Sequence, residues 1–532
     1  MSRLAFTALF LATAILPGIS EQTVFNSEGH TNSQWTTFTH PIARVAVIGA
    51  GPAGLQAAAH LLEANLTVRL FERAPSPGGN WFYTEETPIR EAYPYPATRY
   101  YEEGEGGIAL EERWREHWHP RPVWYTLHTN SPATITRLPG VEHPPDTPWR
   151  VSVHNVERHV RAYASLHGLN SNDKPFSSPY SPIAAYATRV EAMQKCNETA
   201  TWTLTLRRLE WLPESNRLKA TYWTENFDAV VIATGHYTTP YVPSIKGIGN
   251  WSAAREDGRH SIYHSQSFRH EERYAGKTIL IVGASVSSTE IARTIAPFTN
   301  RLIASVRNRD ARGLDILFGF PEKSEVVPEI SSFEPLSAGD IGIKKGKIVL
   351  SNGTVIEGVD EIIFATGYRP THLGGPGTID SLHWTGHYIH DPTLAYAFTA
   401  RTWGHGPYQS LAFAKVWTGK ARLPSREQMW QDHQSKKYTI ALRIHLFLFN
   451  LISPQALTRQ WVAWLNNESL EFGGKFVEPL PAETHEMLVY FLNTHWSHGL
   501  FSHENFTWLE NLPHSEWPPA PTNGLDAQEL AW

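Results

Sequence analysis

Arg44-Val-Ala-Val-Ile-Gly49-Ala-Gly51-Pro52-Ala53-Gly54-Leu-Gln-Ala-Ala-Ala-His-Leu-Leu62 carries most of the information about architecture. The apolar run Val45–Ile48 has the length and β-branched character of a buried strand, and the alanine- and leucine-rich run after Gly54 reads as a helix. Three glycines divide the two, each with its own task. Gly49 permits a tight turn, Gly51 lets the backbone approach a pyrophosphate, and Gly54 allows the helix to pack close to the strand. A second strand, Thr67–Phe71, ends at Glu72, 23 residues beyond Gly49, the spacing of an acid that accepts hydrogen bonds from a ribose. Strand, glycines, helix, strand and acid in this order predict a dinucleotide-binding α/β unit with a parallel sheet.

The chain repeats the device once. Strand Ile279–Val282 runs into Gly283, but the second and third glycine positions hold Ser285 and Ser288, with Ser287 between them. Serine keeps the close packing, and its hydroxyl can donate to a phosphate. The next strand, Leu302–Val306, leads to Arg307 and Arg309 with no acid, and a guanidinium there suits a ribose 2′-phosphate, so NADPH is expected rather than NADH. Two similar segments, Asp228–Tyr237 and Asp360–Tyr368, each run as an apolar strand into a Thr-Gly turn and bracket this second unit, with Gly235 and Gly367 132 residues apart. The expected organisation is two Rossmann-like dinucleotide-binding domains, an FAD domain (41–240 and 362–435) interrupted by an NADPH domain (241–361), with a C-terminal helical extension (436–532). Alternation around Asn352-Gly353 predicts a hairpin. The Pro-, Gly- and Glu-rich stretch Thr84–Pro122 reads as a surface excursion.

Composition bounds the function. The 532 residues carry 46 Lys plus Arg against 52 Asp plus Glu, a net charge of −6, which argues against nucleic-acid binding. One cysteine, Cys196, excludes a redox cysteine pair and any multi-cysteine metal centre, and no metal is expected. The start Met1-Ser2-Arg3, the apolar run Leu4–Leu16 and the small residues Gly18 and Ser20 read as a signal peptide over 1–20, too short to anchor the chain across a membrane. Six sequons, at Asn65, Asn197, Asn250, Asn352, Asn467 and Asn505, fit glycosylation in a secretory lumen or outside the cell. The apolar stretch Ile440–Ile452 is interrupted by Arg443, His445 and Asn450 and cannot span a bilayer.

Taken together, Gly49-Ala-Gly-Pro-Ala-Gly54, Gly78-Gly79-Asn80-Trp81, Tyr125-Thr-Leu-His-Thr129-Asn130, Ala233-Thr-Gly235, His264-Ser-Gln-Ser-Phe268, Phe364-Ala-Thr-Gly-Tyr368 and Pro392–Phe398 resemble the flavin-containing monooxygenases, class B flavoprotein monooxygenases, over about Ala43–Lys420. The signal peptide and the biased tail look most like fungal members that modify aromatic polyketides. The resemblance implies that FAD is held by Gly49, Gly51, Pro52, Ala53, Gly54, Glu72, Gly79, Asn80, Trp81, Thr129, Asn130 and Gln409. It implies that NADPH is held by Gly283, Ser285, Ser287, Ser288, Arg307 and His264. Asn130 would be the catalytic residue, stabilising a C4a-(hydro)peroxyflavin that delivers one oxygen atom of O2 to a small-molecule substrate; its plain alternative is a turn residue in Thr-Asn-Ser-Pro. The Phe and Gly expected six and four residues before His264 are here Gly258 and His260, so a surface histidine stays open beside the interdomain linker. The linker lacks the Trp of Baeyer–Villiger relatives, which favours hydroxylation or heteroatom oxygenation. Ketone oxygenation, an NADPH oxidase and a non-catalytic secreted flavoprotein scaffold remain alternatives, and association with other pathway enzymes stays open.

Overall fold

The computed structural model describes residues 34–87, 98–133, 135–148, 150–170, 183–252, 254–256, 258–307, 320–337, 341–369, 381–397, 403–434, 449–474 and 476–478. The expected signal peptide, Arg309, Asn505 and residues 440–448 of the apolar stretch lie outside them.

The first unit is built on a seven-stranded sheet. Its strands, in spatial order, are Leu382–His383, His387–Tyr388, Leu394–Tyr396, Ala229–Ile232, Arg44–Ile48, Thr67–Phe71 and Ala184–Ala185. From Leu394–Tyr396 onward every pair is parallel. Strand Arg44–Ile48 is the middle strand of this parallel run, flanked on both sides, which is why it reads as continuous apolar sequence. Helix α1 (Pro52–Glu63) buries Leu55, Leu61 and the triplet Ala57–Ala59, small side chains that let it lie close to the sheet. Helix α2 (Leu110–Trp118) and α3 (Val153–Leu166, capped by Ser152, which accepts from the Asn155 amide) follow.

The second unit is a five-stranded, wholly parallel sheet in the order Ile262–His264, Glu361–Phe364, Thr278–Val282, Arg301–Ser305, Glu325–Val327. Short α4 (Ile248–Ser252) precedes it, and α5 (Val286–Ile295) follows its glycine turn. Strand Glu361–Phe364 pairs on both sides within this sheet, so the chain returns to the first unit after Phe364 rather than after 361. The hairpin expected at Asn352-Gly353 joins Ile348–Leu350 to Val355–Ile356. At the two crossings between units, Thr239–Pro240 pairs antiparallel with Tyr368–Arg369.

One sheet was not anticipated. Thr98–Tyr101, Arg217–Phe227, Thr201–Leu212 and Thr188–Cys196 form a four-stranded antiparallel sheet within the stretch read as the first FAD segment. Thr84–Pro122 is accordingly more than a surface excursion, since it supplies one strand of this sheet and α2. Glu116 on α2 ties that helix down by pairing with Arg189 and with Arg207, the latter at 3.1 Å.

Toward the C-terminus, α6 (Gly406–Trp417) crosses α1 so closely that a Cβ on Gly406 would lie 2.8 Å from Gln56 Nε2. Helices α7 (Arg426–Gln434) and α8 (Phe449–Phe472) follow, and Trp461, Val462 and Leu465 of α8 pack on Tyr408 and Ala412 of α6. No helix among the described residues is long and apolar enough to cross a membrane. Asn65, Asn197, Asn250, Asn352 and Asn467 are all exposed.

Candidate active site

In both sheets the strands deliver their candidate residues to one edge, the carboxyl ends, where an open α/β sheet binds ligands. In the first unit that edge carries Gly49, Glu72 and Ala233-Thr234-Gly235. In the second it carries His264, Gly283, Arg307 and Ala365-Thr366-Gly367.

Close approach explains the glycines. Gly49 has φ +105°, and a Cβ there would lie 2.6 Å from the Ala233 carbonyl oxygen. A Cβ on Gly54 would fall 1.8 Å from the Gly49 oxygen. Gly51 faces Gly79 backbone to backbone, a Cβ on Gly79 meeting the Gly51 Cα at 2.7 Å. Asn80, next in the 3-10 turn Gly79–Trp81, lies with its Nδ2 3.7 Å from where a Gly235 Cβ would be. Pro52 opens α1, and Ala53 is buried behind it. Helix α1 has neither a side-chain cap nor an acid in its first turn, so its leading N–H groups are left for an anion. Helix α6 shares both features. Trp81 closes this end by packing edge-on against Trp403, ring centroids 6.1 Å apart. A cradle lined by backbone, with uncapped helix ends and room reserved by absent side chains, fits the pyrophosphate and ring of FAD.

The second turn repeats part of this. Gly283 has φ +122°, and a Cβ there would lie 2.5 Å from the Ala365 oxygen, the counterpart of the Gly49–Ala233 approach. Helix α5 also lacks a side-chain cap and a first-turn acid. Its serines divide the work. Ser288 is fully buried and donates to the Ser285 carbonyl at 2.6 Å, so it is a packing residue and not the phosphate donor expected. Ser285 is exposed and Ser287 half-buried, and neither hydroxyl bonds a described residue. Arg307 is exposed at the strand end, and its guanidinium pairs with no described residue. These groups fit the phosphates of NADPH.

Four expected ligands also brace the protein. Glu72 is buried, and its carboxylate accepts from the Ala50 and Ala74 amides at 2.8 and 2.9 Å and pairs with Arg121 at 2.8 Å. Three of its roughly four acceptor sites are thus taken, leaving one for a ribose. Thr129 is buried, donates to the Ser131 carbonyl and accepts from the Val151 amide, so its hydroxyl proton is spent within the protein. Gln409 is fully buried and spends its amide N–H groups on Thr385. His264 is buried, its Nε2 2.9 Å from the Gly367 oxygen and its Nδ1 accepting from the Gln266 amide. Burial lowers the His264 pKa to about 4, so the ring is neutral with its proton on Nε2. It is the pin between the two crossings, neither a surface histidine nor a free NADPH ligand. Asn130 differs from these four: on strand His128–Pro132 it is half-buried, and its amide bonds no described residue, which leaves it available.

Sequence reading missed Arg121, whose charge among prolines just ahead of Tyr125–Asn130 was the available signal. It also missed that this segment reaches into the second unit. Trp124 is buried against Phe268, ring centroids 5.6 Å apart, and the Tyr125 amide donates to the Arg269 carbonyl. Tyr237, Tyr368 and His264 form an edge-to-face cluster at the seam, with centroids 5.0 to 5.3 Å apart.

Comparison with known proteins agrees with this geometry. The profile of the family described as pyridine nucleotide-disulphide oxidoreductase matches residues 43–311. Cys196 stands alone, so the disulphide part of that description has no counterpart in this chain. The flavin-containing monooxygenase iboF of Amanita muscaria is 32% identical, over 88% of this chain and 99% of its own length. The flavin-containing monooxygenase ustF2 of Aspergillus flavus is 28% identical, over 80% and 92%. The structure of S-allyl-L-cysteine S-oxygenase from Allium sativum superposes with a TM-score of 0.58 at 20% identity, over 92% of this chain and 96% of that one.

Proposed function

The chain belongs to the flavin-containing monooxygenase family and is an FAD- and NADPH-using monooxygenase, and we propose that it oxygenates a small aromatic, polyketide-type substrate in a fungal biosynthetic route, by hydroxylation or at a heteroatom. The observation that carries this reading is the repeated close approach, Gly49 on Ala233 and Gly283 on Ala365, which builds a nucleotide cradle at each of two sheet edges. His264 pins the crossings between them through Gly367. Two fungal relatives similar over most of their length support the biosynthetic setting. The run Leu4–Leu16 and five exposed sequons support a secretory lumen.

When bound, the two cofactors supply the reducing electrons and activate dioxygen for transfer of one of its atoms. The protein supplies place and dryness. The backbone around Gly51 and Gly79 and the open end of α1 hold the first pyrophosphate. The open end of α5, with Ser285 and Ser287, holds the second, while Arg307 reads the 2′-phosphate. Asn130 presents an unspent amide to hydrogen-bond the reacting oxygen. The neutral ring of His264 adds no positive charge of its own to the seam. Trp81 on Trp403 covers the first cradle and Tyr368 packs on His264 at the seam, contacts that limit water entry and with it loss of reduced oxygen as hydrogen peroxide.

The test is turnover of a panel of electron-rich aromatic compounds by purified protein with NADPH and isotopically labelled O2. The expected result is a product that gains one labelled oxygen atom. Ester formation from a ketone would redirect the reading to Baeyer–Villiger chemistry, and NADPH consumption that yields only hydrogen peroxide across the panel would contradict it.

A further inference from the structure

We propose that Arg150 is a positioning residue that ties the Asn130 strand to the NADPH-side helix α5 through Glu290. The proposal rests on the monooxygenase reading above and adds to it a pair that no sequence motif marks. Arg150 opens strand Arg150–Ser152, which pairs antiparallel with His128–Pro132, the strand that carries Asn130. Its Nε donates to the Thr129 carbonyl at 3.3 Å, and its Nη2 reaches Glu290 Oε2 at 2.8 Å. One guanidinium therefore bonds the residue immediately before Asn130 and a residue of the other unit.

The charge arithmetic favours a positioning role. Glu290 is buried in α5, and its other oxygen already pairs with Arg293 on the same helix at 3.0 Å. Arg293 alone balances that carboxylate. A second guanidinium brought from the first unit adds a desolvation cost, which offsets much of its attraction. What it adds beyond charge is geometry, since the planar fork fixes two acceptors relative to each other. The position along the chain matters as well. Upstream of Asn130, Trp124 against Phe268 and the Tyr125 amide on the Arg269 carbonyl grip the second unit. The Arg150–Glu290 pair grips it again through the neighbouring strand. Asn130 is held between two anchorages, both on the unit that binds NADPH. Glu290 also lies within about one helical turn of Ser287, so the tether joins the Asn130 strand to the helix whose first turn meets the phosphates.

The experiment uses the full-length FAD-loaded protein and the variants Arg150→Ala, Arg150→Lys, Glu290→Ala and the double Ala variant. Three quantities are read: the NADP⁺ dissociation constant, the hydrogen peroxide released per NADPH oxidised, and amide hydrogen exchange across 128–132 and 150–152. Arg150→Ala is expected to raise the dissociation constant and the peroxide fraction, each by about fivefold or more, as befits a lost charged hydrogen bond. It is also expected to speed exchange in both strands while FAD content stays unchanged. Arg150→Lys restores part of each, and the double variant is no worse than the worse single one, the signature of a coupled pair. Unchanged peroxide release and unchanged exchange in Arg150→Ala overturn the proposal, as does full additivity in the double variant. Failure of the monooxygenase reading would appear instead in the unmodified protein, as no NADPH oxidation or as oxidation that yields only hydrogen peroxide; the exchange measurements then decide the tether by themselves.

Discussion

The two glycine turns use the same first step and then diverge. Gly49 and Gly283 both sit at positive φ, with no room for a side chain against the alanine carbonyl of an Ala-Thr-Gly turn. Beyond that point, the first turn packs backbone on backbone, Gly54 against Gly49 and Gly51 against Gly79, whereas the second replaces two glycines with serines and seals itself with the Ser288 bond to Ser285. On the reading proposed above, bare backbone suits a cofactor that stays bound. A ligand that comes and goes can be met by a capless helix end, two free hydroxyls and an exposed arginine.

The largest effect should come from breaking the bare-backbone side. Gly54→Val puts a side chain where even a Cβ lies 1.8 Å from a carbonyl oxygen. The strain is expected to cost about 3 kcal/mol or more and to yield colourless protein, checked by the visible spectrum and thermal unfolding. A variant that stays yellow and equally stable would remove the contrast between the turns.

Acid sharpens the comparison because buried histidines are unevenly spread. Burial lowers His159 to about 4 and His387 and His405 to about 3 in the first unit, and His264 to about 4 at the crossing. Each ring titrates lower in the folded chain than in the unfolded one, where the value is about 6.5. The unfolded chain therefore takes up protons first. Stability is full above about pH 6.5 and falls as pH drops from there toward 4, at roughly 1.4 kcal/mol per histidine per pH unit at most. Thermal unfolding at pH 7 and pH 5 should show the loss, and the first unit should open first in hydrogen exchange.

On the exchangeable side, Arg307→Ala should weaken NADPH by about 1 to 3 kcal/mol with little change for NADH. Direct binding measurements check this, and equal losses for both nucleotides would take the 2′-phosphate away from Arg307. The smallest effect belongs to Ser288→Ala, which loses one internal hydrogen bond worth about 1 kcal/mol of stability and leaves NADPH affinity unchanged. A tenfold loss of NADPH affinity would return Ser288 to the phosphate.

The sequence made the two α/β units legible because strand, glycine turn and helix follow one another directly along the chain. Gly54 meets Gly49 of the same turn, while Gly49 and Gly283 meet Ala233 and Ala365 of Ala-Thr-Gly segments that are recognisable by their own apolar-strand form. What it did not make legible is the partner to which a polar side chain is committed. His264 is committed to Gly367, 103 positions away, and Gln409 to Thr385, 24 away. The expected domain edge at 361 rests on Asp360–Tyr368 having the same apolar-strand form as Asp228–Tyr237, and form alone does not say which sheet a strand joins. The antiparallel sheet could have been found. Trp202, Leu204 and Leu206 alternate with Thr201, Thr203 and Thr205, the period-2 pattern of a half-buried strand.

The central claim, that one polypeptide carries electrons from the second cradle to the first, is tested most directly by anaerobic titration of the purified protein with NADPH while the visible flavin band is followed. The account predicts a yellow protein that bleaches with about one equivalent of NADPH, two electrons passing from donor to flavin. A band that persists under excess NADPH, or a protein that neither carries nor takes up FAD, would contradict it.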